Sequence, residues 1–252
     1  MSWKLLSTLE RLLLPNACIA CGQAVERRRP DALICTVCIA RLAPLVGGCD
    51  RCRQPLPPVG PCRFCAEWTA SMAWVRSAVW LGEEARAIVH HLKYDGYVAL
   101  GPDIARVVAR HVTPRYPACL IPIPLGHRRL KRRGYNQAEI LARALGELWD
   151  VPVVPGVLRR LRETGPQTSL DAAAREANVA GAFRASRCPP DVRWSASRSG
   201  AKQASVILVD DVLTTGATMS AAAQALLEGG WPEIGAVTFA RALPYSAKAV
   251  AA

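Results

Sequence analysis

The chain has 252 residues, with 32 Lys and Arg against 20 Asp and Glu, a formal charge of +12 at neutral pH. That length accommodates one full α/β domain plus a small module, and the positive balance favours polyanionic ligands or nucleic acid. No stretch approaches the length of a membrane span, and no G-x-x-x-x-G-K-[ST] string occurs, which excludes a P-loop nucleotide hydrolase.

Residues 1–14 carry Lys4, Glu10 and Arg11 among leucines and read as a short amphipathic helix rather than a secretory signal, so a reduced, cytoplasmic setting is expected. Eight of the ten cysteines then form four Cys-x-x-Cys pairs: Cys18 and Cys21, Cys35 and Cys38, Cys49 and Cys52, Cys62 and Cys65. Each pair turns two thiolates towards one ion, and two pairs complete a tetrahedral zinc site. Disulfides, the competing explanation, belong to oxidising compartments. Thirteen residues separate Cys21 from Cys35 and nine separate Cys52 from Cys62. Sequential pairing therefore gives two zinc ribbons, with an interleaved cross-brace as the alternative. The segment is rich in Pro, Arg and Gly and lacks apolar periodicity, so metal substitutes for a core. Arg27 to Arg29 form a basic cluster within it. Cys119 and Cys188 belong to no pair.

From Trp74 the pattern becomes that of a parallel α/β sheet, giving an expected division into a zinc module over 1–70 and an α/β domain over 71–252. Expected elements are a strand over Trp74–Leu81, helices over Glu83–Lys93 and Val98–His111, and a buried strand over Cys119–Ile123. A helix over Gln137–Trp149, a strand over Val151–Val154 and a last strand over Ile234–Arg241 follow. Leu125 to Gln137 reads as a loop carrying five cations in six positions, Arg128, Arg129, Lys131, Arg132 and Arg133, before Gly134. A guanidinium binds phosphate bidentately, and Gly134 permits close approach of backbone to ligand. Lys93 and Tyr94 are either ligand contacts or an exposed helix end, and Arg159, Arg160 and Arg162 either a lid or surface charge. The adjacent His90 and His91 should face apart on their helix and make no site. Arg184 to Lys202, with little periodicity, reads as a mobile loop.

Val206 to Thr218, VILVDDVLTTGAT, carries the most chemistry. Its apolar run reads as a buried parallel strand with Asp210 and Asp211 at the carboxyl end, where ligands bind in open α/β sheets. Thr214, Thr215, Gly216, Ala217 and Thr218 then wrap an anion, helped by the amino end of a helix stopping at Gly229 and Gly230. Carboxylates for sugar hydroxyls beside a phosphate cradle describe a ribose 5-phosphate site. A phosphoacceptor receiver domain also carries an acidic pair at a strand end, but early in the domain and without Thr-Thr-Gly-Ala-Thr.

The segment resembles the phosphoribosyl pyrophosphate signature of type I phosphoribosyltransferases. Together with the cysteine knuckles, Leu92-Lys-Tyr-x-Gly96, Ile121-Pro-Ile-Pro124, Arg133-Gly-Tyr-Asn-Gln137 and the spacing of Thr164, Gln167, Leu170, Arg175, Asn178, Gly181 and Phe183, it is similar to the ComF family over nearly the whole chain. The length of Arg184 to Lys202 departs from that pattern. The resemblance implies a phosphoribosyltransferase-type domain that binds phosphoribosyl pyrophosphate with Mg²⁺. In it, Thr214 to Thr218 hold the 5-phosphate, Asp210 and Asp211 the ribose hydroxyls, and Arg132 and Arg133 the pyrophosphate. It also implies DNA uptake and contact with single-stranded DNA and DNA-uptake proteins. The acceptor and the oligomeric state are not legible, and a non-catalytic, DNA-handling protein that uses the site for a regulatory ligand is the alternative.

Overall fold

The computed structural model describes residues 17–26, 31–66, 68–114, 117–162, 181–188 and 205–242. The helix expected over residues 1–14, the Arg27 to Arg29 cluster, most of the Arg162 to Phe183 element and most of the Arg184 to Lys202 stretch lie outside these residues.

Four parallel strands form the main sheet: β1 (Met72–Trp80), β2 (Pro117–Pro122), β5 (Ser205–Leu213) and β6 (Ile234–Arg241), in the spatial order β1-β6-β5-β2. β5 and β6 are central, and their nearly unbroken apolar runs reflect cover on both faces. Alternation sorts their side chains. Ile207, Val209, Val237 and Phe239 enter one core, with α2 (Glu83–Tyr94), α3 (Gly101–His111) and α5 (Gln137–Trp149). Val206, Leu208, Ile234 and Ala236 enter the other, with α6 (Ala217–Glu228) and a hairpin of β3 (Leu158–Arg160) and β4 (Phe183–Ala185).

Several expected elements change on folding. The strand expected over Val151–Val154 is a single parallel bridge, Leu120 to Val153, beside the β2 edge. The helix expected from Val98 opens with a 3₁₀ turn, Val98–Leu100, because Pro102 fits only the first turn of an α-helix. The stretch expected as a basic loop contains a helix, α4 (His127–Arg133), none of whose residues is buried. Arg and Lys are good helix formers, so the charge does not oppose it. Gly134, at φ +83°, ends α4 in the left-handed conformation glycine adopts without strain.

The cysteine module straddles the β1 edge of the sheet. Cys18, Cys35 and Cys38 belong to the core on the α3 face, where Leu33 N–H donates to the buried Asp103 Oδ2 of α3 at 2.7 Å. Cys52, Cys62 and Cys65 belong to the core on the α6 face. Between them the chain runs antiparallel to β1: Leu45 N–H donates to Ala78 O at 3.0 Å and Trp80 N–H to Ala43 O at 2.8 Å, which covers an edge strand that would otherwise offer unpaired backbone groups.

Candidate functional site

The thiol sulfurs of Cys18, Cys21, Cys35 and Cys38 lie within 4.8 Å of one another, as do those of Cys49, Cys52, Cys62 and Cys65. Neighbouring knuckles are therefore paired sequentially, which removes the cross-brace. A tetrahedral ion with zinc–sulfur bonds of about 2.3 Å sets its sulfurs about 3.8 Å apart. The observed separations are 3.8 Å for Cys21 and Cys35, 3.6 Å for Cys49 and Cys65 and 3.7 Å for Cys52 and Cys62. All eight cysteines are free of disulfides. In the first cluster Cys35 caps helix α1 (Thr36–Arg41), its sulfur accepting from Cys38 N–H at 3.4 Å while Cys18 sulfur accepts from Cys35 N–H at 3.3 Å. Such donors stabilise thiolate charge. The donor set and spacing fit structural zinc at two sites.

The second cluster reaches the carboxyl edge of the sheet. Trp68, buried beside it, donates its indole N–H to the carbonyl of Thr215 at 2.9 Å. Gly216, at φ +89°, sits so close to the ring that a Cβ there would lie 2.5 Å from it. The loop before α6 is thus held from behind by the cysteine module.

That loop borders a cleft of about 630 Å³ along the carboxyl ends of the strands. Thr214, Gly216 and Thr218 line it, whereas Thr215 faces inward, its hydroxyl accepting from Ala217 N–H at 3.4 Å. Ala217 and Thr218 are already the first turn of α6, so the cradle is a helix amino end as much as a loop. β5 continues two residues past the acidic pair, to Leu213, and the pair lies within the strand rather than at its terminus. Asp211 is buried, with Lys93 Nζ 2.5 Å from its Oδ2 and Gln137 Nε2 donating to its Oδ1 at 3.5 Å. Burial is the largest influence on Asp211 and works to raise its pKa, but the Lys93 charge and the hydrogen bonds from Asp210, Lys93 and Gln137 together outweigh it and hold the carboxyl below its ordinary range. Asp210 goes the other way, pushed well up by burial and then by the charge of Asp211. Asp211 is thus compensated by a cation, whereas Asp210 Oδ1 accepts from the Asp211 N–H at 2.8 Å.

The Arg133-Gly-Tyr-Asn-Gln137 string is the scaffold of this site. Arg133 donates to Gln137 Oε1 and lies over the Tyr94 ring at 5.5 Å. Tyr135 O–H donates to Leu92 O at 2.5 Å, and Asn136 caps α5 while donating to Ile123 O at 3.0 Å. Gly134 stops α4 and is not among the residues that line the cleft. Helical spacing sorts the basic cluster: Arg129, Arg132 and Arg133 line the cleft, whereas Arg128 and Lys131 do not. Arg129 therefore joins the two arginines expected there.

Lys93, open between two readings in sequence, belongs to the site, and Arg160 of β3 and Arg86 of α2 line it as well. Arg160 was open in sequence between a lid and surface charge, whereas Arg86 carried no signal beyond its charge, because only the fold brings α2 to the cleft. In all, Arg86, Lys93, Arg129, Arg132, Arg133 and Arg160 line it together with Asp210 and Asp211, Lys93 in direct contact with Asp211. Six cations against two carboxylates, with a helix amino end, suit a ligand carrying several negative charges.

Residues 130–248 match the model of the phosphoribosyl transferase domain. The chain is 29% identical over 235 residues to the DNA utilization protein YhgH of Salmonella typhimurium, covering 87% of this chain and 94% of that protein. It is 26% identical over 213 residues to the competence protein ComFC of Bacillus subtilis, covering 80% and 81%. Over most of its length the chain is similar to proteins of the ComF/YhgH family. Another relative, competence protein F of Haemophilus influenzae, is 35% identical over 128 residues, 51% of this chain and 52% of its own length. An α/β parallel-sheet domain of the phosphoribosyltransferase type follows two four-cysteine clusters of zinc-ribbon character. Among the described residues no helix is long and apolar enough to cross a membrane.

Proposed function

We propose that the cleft binds phosphoribosyl pyrophosphate together with Mg²⁺. The observation that carries this reading is the charge layout, six cations and a helix amino end around the buried Asp211 and the half-buried Asp210. Thr214, Gly216 and Thr218 take the 5-phosphate, Asp210 and Asp211 the ribose hydroxyls, and Arg129, Arg132 and Arg133 the pyrophosphate. The raised proton affinity of Asp210 marks a place where added positive charge is favourable, which suits a ligand that arrives with a divalent ion. When bound, Mg²⁺ supplies neutralisation of ligand oxygens, as a hard ion that keeps several waters.

In the reaction this arrangement suits, the bond from the anomeric carbon to pyrophosphate breaks and a bond to an acceptor forms. Positive charge grows on the sugar near the two carboxylates, while the arginines favour the departing pyrophosphate. The test is calorimetry with phosphoribosyl pyrophosphate and Mg²⁺, joined to a screen for pyrophosphate release across acceptors, single-stranded DNA included. The double variant Asp210→Asn, Asp211→Asn keeps volume and removes two charges, and its affinity is expected to fall at least tenfold. An intact fold with unchanged affinity would refute the ribose contacts.

The names of the relatives, a DNA utilization protein and competence proteins, together with the unburied α4, favour a second reading, in which the chain handles single-stranded DNA during DNA uptake and the cleft holds a regulatory ligand. Affinity for single-stranded DNA should then fall with salt by about 0.7 log units per phosphate contact per decade. Arg128→Glu with Lys131→Glu, on the face of α4 away from the cleft, should lower that slope by about 1.4 and spare phosphoribosyl pyrophosphate binding. A wild-type slope of zero would remove this reading.

A further inference from the structure

Three side chains outside the assigned contacts converge at the end of α2. His91 lies in its last turn with His90 just before it, and Asp95 caps it. Neighbours on a helix diverge at their Cβ atoms, so the pair is expected to split. The chain reverses immediately afterwards, however. Gly96 takes φ +77°, Asp95 N–H donates to His91 O at 3.2 Å and Tyr97 N–H to the same carbonyl at 3.4 Å. This reversal returns the Asp95 carboxylate over the helix end, where both imidazoles swing to meet it. Asp95 Oδ2 lies 3.4 Å from His90 Nδ1 and 2.6 Å from His91 Nδ1. Aromatic neighbours hold the rings: Tyr94 packs on His90 at 5.0 Å and Tyr97 edge-on to His91 at 5.6 Å.

We propose that His90, His91 and Asp95 form a third metal site, for a divalent transition ion of the zinc class, on the lip of the cleft. One ligand atom from each lies within 4.8 Å of the others. His91 Nδ1 is buried and faces the Asp95 carboxylate at 2.6 Å, so nitrogen and oxygen ligands are already gathered at one point. With metal–ligand bonds of about 2.1 Å, the two nitrogen–oxygen separations correspond to angles at the ion of about 75° and 110°. The wider angle is the tetrahedral value and the narrower opens to it as His91 moves off the carboxylate by less than an ångström, and the pairing of two imidazoles with one carboxylate selects borderline ions over Mg²⁺. His90 itself lines the cleft, so the ion adds positive charge beside the bound anion.

The site is independent of the cysteine clusters and of any phosphoribosyl ligand, and so is its test. Protein carrying its two ribbon zincs is titrated with Ni²⁺ by calorimetry, then gel-filtered and its metals counted. One Ni²⁺ per chain is expected in addition to two zincs. His91→Ala and Asp95→Asn should each weaken Ni²⁺ binding at least tenfold while both zincs stay. These side chains are partly exposed, and the retained zinc with an unchanged circular dichroism spectrum verifies the fold. Absence of the additional ion from the wild type, or Ni²⁺ binding undiminished in a His90→Ala, His91→Ala variant, would overturn the proposal, whatever the outcome with phosphoribosyl pyrophosphate.

Discussion

Replacing Lys93 by methionine is expected to destabilise the protein by about 3 kcal/mol at neutral pH, because it leaves a buried carboxylate without its cation. Asp211 is 3% exposed and Lys93 22%, so solvent screens the pair little. The pH dependence follows from the lowered Asp211 value. A carboxyl that binds its proton less tightly when folded adds stability above the unfolded range, near about pH 4, and loses it as pH falls through the lowered folded value. The methionine variant has no such contribution to lose. Denaturant unfolding of the two proteins should thus differ most at pH 7 and converge in acid. A constant gap, or one below about 1 kcal/mol, would reduce the pair to the standing of a surface ion pair.

Serine at Cys18 and Cys21 should remove one zinc of two, and serine at Cys52 and Cys62 the other. The second change is expected to do more. Trp68 packs beside the second cluster and donates to Thr215, so losing that metal frees the support behind the phosphate cradle. Hydrogen exchange at residues 214–218 should accelerate strongly in the Cys52, Cys62 variant and little in the Cys18, Cys21 variant. Equal acceleration in both would deny the specific coupling, and two zincs retained in either would overturn the assignment of its knuckles.

Much of this was legible in the sequence wherever one residue type has one physical use. Four Cys-x-x-Cys pairs with short spacers specify two four-thiolate clusters, and a run of apolar residues carrying two aspartates specifies a buried strand that delivers them to the ligand edge. Legibility ended where the answer depends on which elements meet. Lys93 was undecidable because its partner, Asp211, is distant in sequence. Arg86 and Arg160 joined the cleft through folding of α2 and β3. The basic run after Pro124 looked like a loop because charge and glycine dominate it, and its helical spacing, once formed, decided which arginines line the cleft. That His90 and His91 both approach Asp95 was not legible, because periodicity describes Cβ directions and not what a chain reversal does to long side chains.

The strand order has a consequence for how the chain acquires its shape. β1 pairs with β6, and Ser77 lies opposite Thr238, so the edge that the cysteine module covers finds its own neighbour only after almost the whole domain has been synthesised. Parallel pairing at such separation is slow and leaves hydrophobic strands waiting. The metal clusters involve only local closures, between Cys18 and Cys38 and between Cys49 and Cys65, and can form while the rest of the sheet is still missing. Metal capture then acts as an early clamp on the amino-terminal segment, shielding β1 from the pairings it would otherwise find with other nascent chains. Cells short of zinc would in that case lose this protein first to aggregation during synthesis rather than to any fault in the finished molecule.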